Sequence, residues 1–319
     1  MWKKVLYVLI IVLLLSSMTS LIFVGCGPND GGLSISSWMS YINDDALLKN
    51  IVIPGSHDTG TYELKFVSQT QFKNMTEQLE CGTRYFDLRY DVVEGELVMY
   101  HGFHGPAYTY KVMYDDNALT VFSQIKEFLQ THTSETLVLD ITNIFDEAKP
   151  LLFSTVCEYL KDYAIVNDTS KSDLEFVDNL KLGDCRGKCL ILWGADTDVY
   201  LNENFIFKRN DDAGSRADCV LHSFYKSNYN STYASEKYIK VAIPKYIEEY
   251  RQVGAGLFVL QGQLTDGLGI FGPRSKEDDH YVLMNEYVAS LADSQDLVDI
   301  NIIMRDFVGF CKNAHAIKL

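Results

Sequence analysis

The sequence predicts an α/β fold in which roughly eight short strands alternate with helices. Apolar and β-branched runs recur along the chain, and amphipathic segments lie between most of them. No glycine-rich dinucleotide turn follows any of these runs, which disfavours the alternative, a doubly wound open sheet. We therefore expect a (β/α)8-type TIM barrel, irregular or incompletely closed, as one domain over residues 34–319.

The predicted strands are rich in Val, Ile, Leu and aromatic residues, which favour strands. They cover residues 50–54, 85–89, 96–100, 136–141, 189–193, 219–222, 257–261 and 300–304, of which 219–222 is the weakest. Helices are predicted over residues 119–131, 150–163 and 281–292. In the first of these, apolar residues from Val121 to Leu129 recur at i, i+3 or i+4 spacing and so share one helix face.

The composition is that of a globular protein with a strong acidic balance. The chain carries 28 basic and 43 acidic side chains, a formal net charge of −15, and 47% of its residues are hydrophobic. Negative charge of this size disfavours non-specific binding to nucleic acid, because the phosphate backbone repels it. We expect a monomer with no nucleic-acid partner.

Residues 1–33 have the pattern of a targeting segment. Two lysines precede an apolar run over residues 5–24, and Gly-Cys-Gly around Cys26 follows it. One interpretation is a bacterial lipoprotein signal with lipid attached to Cys26. The other is a signal peptide or signal anchor, since the run approaches the ~20 residues that span a bilayer. Both interpretations predict a protein that is secreted or anchored to a membrane on its extracytoplasmic side.

Six further cysteines are compatible with export, since an even number permits several disulfides. Cys185 and Cys189 are spaced like half of a metal site, but no second Cys or His pair stands nearby. We therefore interpret these two as structural thiols or disulfide partners. The six cysteines are Cys81, Cys157, Cys185, Cys189, Cys219 and Cys311.

Polar residues suited to acid–base chemistry cluster where the predicted strands end. Because the C-terminal ends of parallel strands open on one face of a barrel, we expect these side chains to share one pocket. They are His57 and Asp58 after the first strand, Asp87 and Arg89 in the second, His101 and His104 after the third, and Asp306 beside Arg305 after the last.

This set of side chains suits cleavage of a phosphodiester. One imidazole can take a proton from an attacking hydroxyl while a second gives a proton to the leaving oxygen, and both roles suit a pKa near ~6.5. Aspartates beside the rings fix the tautomer, and an arginine binds the non-bridging oxygens. The remaining histidines lie in no such motif, and we interpret them as surface or helix-end residues: His132, His222, His280 and His315.

Several longer segments carry these residues in a fixed order. They are IVIPGSHDTGTYEL (51–64), GTRYFDLRY (82–90), LVMYHG (97–102), IKEFLQTHTSETLVLDI (125–141), KLGDCRGKCLIL (181–192) and NIIMRDF (301–307). Together they resemble the X domain of the phosphatidylinositol-specific phospholipase C family, and in particular its bacterial members. The resemblance extends from about residue 37 to residue 310.

The resemblance implies a role for each polar residue. His57 would be the general base that deprotonates the inositol 2-hydroxyl, with Asp306 as its carboxylate partner. Asp58 would support the second histidine, the general acid that protonates the diacylglycerol oxygen. Arg89, oriented by Asp87, would hold the phosphoryl oxygens where animal members use calcium. The implied activity is metal-independent and needs no cofactor; it converts phosphatidylinositol or a related inositol phospholipid at a membrane surface to diacylglycerol and inositol 1,2-cyclic phosphate.

The chain departs from the bacterial pattern at several positions. Both His101 and His104 precede a glycine, as the general acid does in the family, and the strand register favours His101. A lysine of bacterial members is replaced by Thr142 or Asn143, and an inositol-contacting arginine falls near Gly194. These changes bear on head-group specificity more than on the chemistry.

Two other functions stay open from the sequence. One is a metal-dependent phosphodiesterase on the same barrel, such as a glycerophosphodiester or sphingomyelin-type enzyme, which would hold its metal through several carboxylates. The other is a non-catalytic surface protein that binds inositol lipids or glycans.

Overall fold

The computed structural model describes residues 34–64, 69–101, 110–111, 118–142, 144–167, 171–194, 199–209, 220–223, 237–264, 283–284, 286–288, 290 and 300–309. The predicted targeting segment, with Cys26, lies outside these residues, as do His104, Asn143, His280 and His315. Among the described residues, none of the helices combines the length and apolar character that crossing a bilayer requires.

Eight strands form one parallel sheet that curls into a half-barrel. Their order across the sheet is β7-β6-β5-β2-β1-β10-β9-β8, so that β7 and β8 are its two edges in the described part of the chain. The ten strands are β1 (Ile53–Ser56), β2 (Tyr85–Val93), β3 (Glu96–His101), β4 (Tyr110–Lys111), β5 (Thr136–Thr142), β6 (Lys188–Trp193), β7 (Ile206–Lys208), β8 (Leu221–Ser223), β9 (Leu257–Gln261) and β10 (Ile302–Arg305).

Helices follow most of the strands, as the predicted fold requires. They are α1 (Met75–Glu80), α2 (Ala118–Thr131), α3 (Lys149–Leu160), α4 (Asp173–Asp178), α5 (Leu182–Cys185) and α6 (Ile243–Val253). Short 3-10 turns cover Ile35–Tyr41, Leu48–Asn50, Lys161–Tyr163 and Val199–Asn202, and a π-helical turn, Tyr238–Ala242, precedes α6. Within the predicted helix over 281–292, the residues that the structure describes are helical.

The predicted strands match the observed ones closely, with two omissions and one error of direction. β4 and β7 are too short, at two and three residues, for periodicity to reveal them. The expectation that all strands run parallel is wrong for β3, which pairs antiparallel with β2. The physical reason is the two-residue connection Glu94–Gly95, where both residues have positive φ, because so short a turn can join only antiparallel strands.

Side chains alternate between the two faces of the sheet. Tyr85 belongs to the apolar cluster inside the barrel, whereas Phe86 and Leu88 pack against α2 in a separate cluster. Asp87 and Arg89 therefore lie on the inner face, above Tyr85. Close packing inside requires a small residue at Gly55, where a Cβ atom would lie 2.8 Å from the ring of Tyr85.

Candidate active site

The ends of four strands bring six of the predicted site residues together. β1, β2 and β10 are neighbours in the sheet, and the β2–β3 hairpin returns to the same end of the barrel. Of the predicted residues, His104 alone lies outside the described part of the chain. The six that share the site are His57, Asp58, Asp87, Arg89, His101 and Asp306.

His57 and Asp306 form a dyad across two paired strands. Ser56 and Arg305 are partners in the β1–β10 ladder, and the backbone N–H of His57 donates to the Arg305 carbonyl at 3.0 Å. One residue beyond each strand, His57 Nδ1 lies 2.7 Å from Asp306 Oδ1. This contact leaves Nε2 of His57 directed toward the rest of the site.

Asp58 contacts three positively charged or titratable groups. Its Oδ2 lies 3.2 Å from His57 Nε2 and 3.3 Å from His101 Nε2, and its Oδ1 lies 2.7 Å from an Nη atom of Arg89. The backbone of Asp58 has a φ of 44°, in the left-handed region that Asp and Asn adopt more readily than most residues. A buried carboxylate in this position holds both imidazoles and the guanidinium together.

Asp87 holds Arg89 from the other side. Arg89 Nη2 and Nε lie 2.7 and 3.2 Å from the two carboxylate oxygens of Asp87. The hydroxyl of Thr142 donates to Asp87 Oδ1 at 2.9 Å. Thr142 therefore supports the aspartate that orients Arg89. It is one of the two positions at which the resemblance described above places a lysine in bacterial members. About a fifth of the Arg89 side chain is exposed, so that an anion can reach it.

The same cluster offers the geometry of a cation site. His57, Asp58 and Asp87 each offer one ligand atom, and these three atoms lie within 4.8 Å of one another. The guanidinium of Arg89 makes contacts of 2.7 Å to both of these carboxylates. A metal ion bound by the three residues would compete with Arg89, because both carboxylate oxygens of Asp87 already contact the guanidinium.

The electrostatics of the site follow from burial and from these contacts. Burial acts to lower the pKa of His57, but the charges of Asp58 and Asp306 outweigh it and raise the pKa to about 9. Burial acts to raise the pKa of Asp87, but the guanidinium of Arg89 holds that pKa below its usual range. Burial also raises the pKa of Asp306 despite the contact with His57. The imidazole of His57 therefore carries a proton at neutral pH.

A second group of polar residues lines the inner face beside the dyad. Asp140 lies on β5 next to Asp87, accepts a hydrogen bond from the Tyr85 hydroxyl at 2.5 Å, and makes an ion pair of 2.7 Å with Arg209. Arg209 follows β7, and its Cδ passes 3.8 Å from the position of a Cβ on Gly194. Arg209 therefore places a positive charge close to Gly194, the position at which this chain departs from the bacterial pattern. Sequence reasoning missed Arg209 because β7 has only three residues.

Two predictions outside the site have different outcomes. His222 is not a surface residue: it lies on β8, is 1% exposed, and its ring centroid is 6.0 Å from that of Tyr250. The prediction rested on the lack of a motif around His222, although the weakest of the predicted strands, over residues 219–222, already contained it. Cys185 and Cys189 are buried free thiols, in agreement with one of the two interpretations of that pair.

Comparison with known proteins gives a family for this arrangement. Residues 45–194 match the model of the phosphatidylinositol-specific phospholipase C X domain. The chain is 26% identical over 219 residues to 1-phosphatidylinositol phosphodiesterase of Staphylococcus aureus strain Newman, covering 62% of this chain and 66% of that protein. It is 29% identical over 182 residues to the Listeria monocytogenes protein of the same name, covering 52% of this chain and 50% of that one. The human PI-PLC X domain-containing protein 2 is 28% identical over 160 residues, 38% of this chain and 49% of that protein. The matched region thus spans less than two thirds of each of these relatives.

Solved structures of bacterial proteins share the fold. The phosphatidylinositol-specific phospholipase C of L. monocytogenes superposes with a TM-score of 0.64 at 22% identity, covering 86% of this chain and 94% of that one. A double mutant of the S. aureus protein gives 0.63 at 19% identity, covering 87% and 92%. These likenesses confirm the predicted TIM-barrel fold. By its family match, its relatives and its fold, this chain carries the phosphatidylinositol-specific phospholipase C X domain over residues 45–194.

Proposed function

We propose that this protein cleaves phosphatidylinositol without a metal ion, producing diacylglycerol and inositol 1,2-cyclic phosphate. The observation that carries the proposal is the position of Arg89. Its guanidinium bridges Asp58 and Asp87 with contacts of 2.7 Å, and the imidazoles of His57 and His101 both contact Asp58. A fixed positive charge between two titratable rings suits a phosphodiester, whose negative charge builds on the non-bridging oxygens.

Each step of the reaction has a side chain in position to carry it. His57 takes the proton of the inositol 2-hydroxyl through Nε2, and that oxygen bonds to phosphorus as the bond from phosphorus to the diacylglycerol oxygen breaks. His101 gives its proton to the leaving oxygen, and a later proton transfer from His57 to His101 through solvent restores both rings. Asp306, 2.7 Å from His57 Nδ1, stabilises the imidazolium that forms. A base has to be unprotonated, and the unprotonated fraction of His57 grows as pH approaches its pKa of about 9.

The polar side chains on the inner face of the sheet suit a head group that is rich in hydroxyls. Asp140 and Arg209 form an ion pair on the inner face, and Gln261 also projects from the inner face of β9. A carboxylate paired with a guanidinium presents both hydrogen-bond acceptors and donors, which suits the vicinal hydroxyls of an inositol ring better than an apolar group. We expect the ring to lie over Asp140, one strand away from Asp87.

A metal-dependent phosphodiesterase is the second candidate, and one observation favours it. His57, Asp58 and Asp87 offer three ligand atoms within 4.8 Å of one another. Such an enzyme would lose activity when its metal is removed, whereas an enzyme that relies on Arg89 would not.

The two candidates are separated by a single assay. The full-length protein is incubated with phosphatidylinositol vesicles in excess chelator and, separately, with added calcium or magnesium, and the products are followed by phosphorus NMR. We expect a five-membered cyclic phosphate to form at equal rates in all samples. His57→Ala should abolish the product while circular dichroism shows a folded protein.

Three outcomes would contradict the proposal. Activity that requires the metal would favour the second candidate. Binding to the vesicles without any product would favour a non-catalytic lipid-binding protein. A linear inositol phosphate that never passes through the cyclic form would exclude attack by the 2-hydroxyl.

A further inference from the structure

Gln71 lies in the interior beside the dyad of His57 and Asp306, and its side-chain hydrogen bonds go to backbone groups. It is 0% exposed. Its amide Nε2 donates to the carbonyl of His57 at 2.8 Å and to the carbonyl of Arg305 at 3.1 Å. Its Oε1 accepts from the N–H of Val308 at 3.0 Å. We infer that Gln71 is a positioning residue that fixes the distance between His57 and Asp306.

The contacts of Gln71 connect the two segments that carry the dyad. His57 follows β1, while Arg305 is the last residue of β10 and Val308 lies two residues beyond Asp306. The sheet itself joins these segments only up to the hydrogen bond from His57 N to Arg305 O. Past this hydrogen bond, the side-chain amide of Gln71 connects the two segments, because it binds backbone groups of both.

The backbone at this point needs such support. Asp58, just after His57, has a φ of 44°, and Phe307, just after Asp306, has a φ of 51°. Residues other than glycine persist in this region only when the surroundings hold them there. Thr70 contributes as well, because its carbonyl accepts from Phe307 N at 2.7 Å and its hydroxyl lies 3.2 Å from the His57 carbonyl. The segment Thr70–Gln71 therefore holds both strained turns from one side.

A second buried amide provides a matched control. Asn301 is also 0% exposed, and its Nδ2 donates to the carbonyls of Leu48 and Ile51 at 2.9 and 2.8 Å. Its Oδ1 accepts from Phe258 N at 3.4 Å. Asn301 thus makes the same kind of three-way connection at the opposite ends of β1 and β10, away from the dyad. Loss of either amide leaves buried backbone groups unsatisfied, but only Gln71 touches the catalytic turns.

The test compares the variants Gln71→Met and Asn301→Leu, which replace each amide by an apolar group of similar size. The pKa of His57 is measured by NMR of its ring in the full-length protein without lipid, and kcat and KM are measured on phosphatidylinositol vesicles. We expect Gln71→Met to move the pKa of His57 from about 9 toward 6.5 by at least about one unit, because the contact with Asp306 loosens. We expect kcat to fall by about 10- to 100-fold, with a smaller change in KM, since a misplaced catalytic group costs rate of this order.

The control separates positioning from general loss of stability. Asn301→Leu should lower Tm to a similar extent and leave the His57 pKa unchanged within about 0.3 units. If Gln71→Met does not fold, Gln71→Asn replaces it, because the shorter amide cannot reach both segments and should shift the pKa in the same direction. An unchanged His57 pKa in either folded Gln71 variant would overturn the inference. The link to kcat rests on the proposed function, but the NMR titration does not: a wild-type protein that cleaves no lipid would refute the function and leave the positioning role testable.

Discussion

At the scale of single residues, the carboxylate of Asp58 holds the site together because three other side chains contact it. Asp58 contacts His57, His101 and Arg89 within 3.3 Å, and its carboxylate is fully buried. A buried negative charge is stable only when it is paired, and three partners satisfy this requirement well. Under the proposed function, a phosphodiester entering the site would compete with Asp58 for the same three groups, so that Asp58 would couple substrate binding to catalysis.

The choice between the two candidate general acids is a prediction at this scale. His101 Nε2 lies 3.3 Å from Asp58 Oδ2, which favours His101. We expect His101→Ala to lower kcat at least about 100-fold more than His104→Ala does. A factor of about 100 is the low end of what a general acid contributes to the rate. The measurement is the initial rate of cyclic phosphate formation under saturating phosphatidylinositol. Equal losses, or a larger loss with His104→Ala, would reassign the acid.

At the scale of elements, one buried ion pair connects four segments at the end of the barrel opposite to the site. Arg84, before β2, lies 2.9 Å from Glu135, before β5, and both side chains are 0% exposed. Arg84 also donates to the carbonyls of Leu79, in α1, and Ser36. Glu135 accepts from the N–H of Met39, in the N-terminal 3-10 turn. The pair thus connects the N-terminal turn and α1 to two strands at this end of the barrel.

Removing one partner of this pair should destabilise the protein strongly. Glu135→Ala leaves the guanidinium of Arg84 buried without its counter-charge, which costs about 3–5 kcal/mol of unfolding free energy. Asp45→Ala breaks the exposed ion pair between Asp45 and Lys181, which are 81% and 51% exposed, and should lower the unfolding free energy far less, because water and salt screen an exposed pair. Urea unfolding at pH 7, followed by circular dichroism, gives both values. Similar losses of unfolding free energy in the two variants would show that the buried pair does not stabilise this end of the barrel.

The hairpin of β2 and β3 is the element that completes the site. β2 passes Arg89 and continues for four residues before the turn, and β3 brings His101 back to the end of the barrel. A parallel strand at this place would have carried the second imidazole to a different part of the rim. The antiparallel return is therefore the reason that His101 reaches Asp58.

At the scale of the whole molecule, the dyad links stability to pH. The pKa of His57 is raised to about 9 in the folded state, against about 6.5 in an unfolded chain. A raised pKa means that the folded state binds the proton more tightly, so the stabilisation is fully present below pH 6.5 and is lost as pH rises through 9.

We therefore expect Tm to fall between pH 6.5 and pH 9 by more in the wild type than in Asp306→Asn. Asparagine removes the charge that helps to raise the His57 pKa and keeps a similar shape. Each unit of pKa corresponds to about 1.4 kcal/mol, so the two curves should converge with rising pH by an amount of that order. Scanning calorimetry in matched buffers measures both. Parallel curves would show that the charge of Asp306 does not raise the pKa of His57.

The catalytic strand ends were predictable because their signals are local. β9 has the bounds predicted for residues 257–261, and the predicted bounds of β2 and β5 begin at the correct residue. His57, Arg89 and Asp306 were recognised because each lies in a contiguous motif at a strand end. Whether the protein is secreted or membrane-anchored stays a prediction from residues 1–33.

The alternation of strands and helices and the residue types at each strand end could therefore be inferred from the chain alone, since both depend on neighbours within a few positions. The three-dimensional fold was needed to show that Asp58 contacts two imidazoles, that Arg209, which follows a three-residue strand, reaches Asp140, and that Gln71 binds Val308 across 237 positions. These contacts depend on distances through space between segments far apart in the chain, and no pattern of adjacent residues encodes such distances.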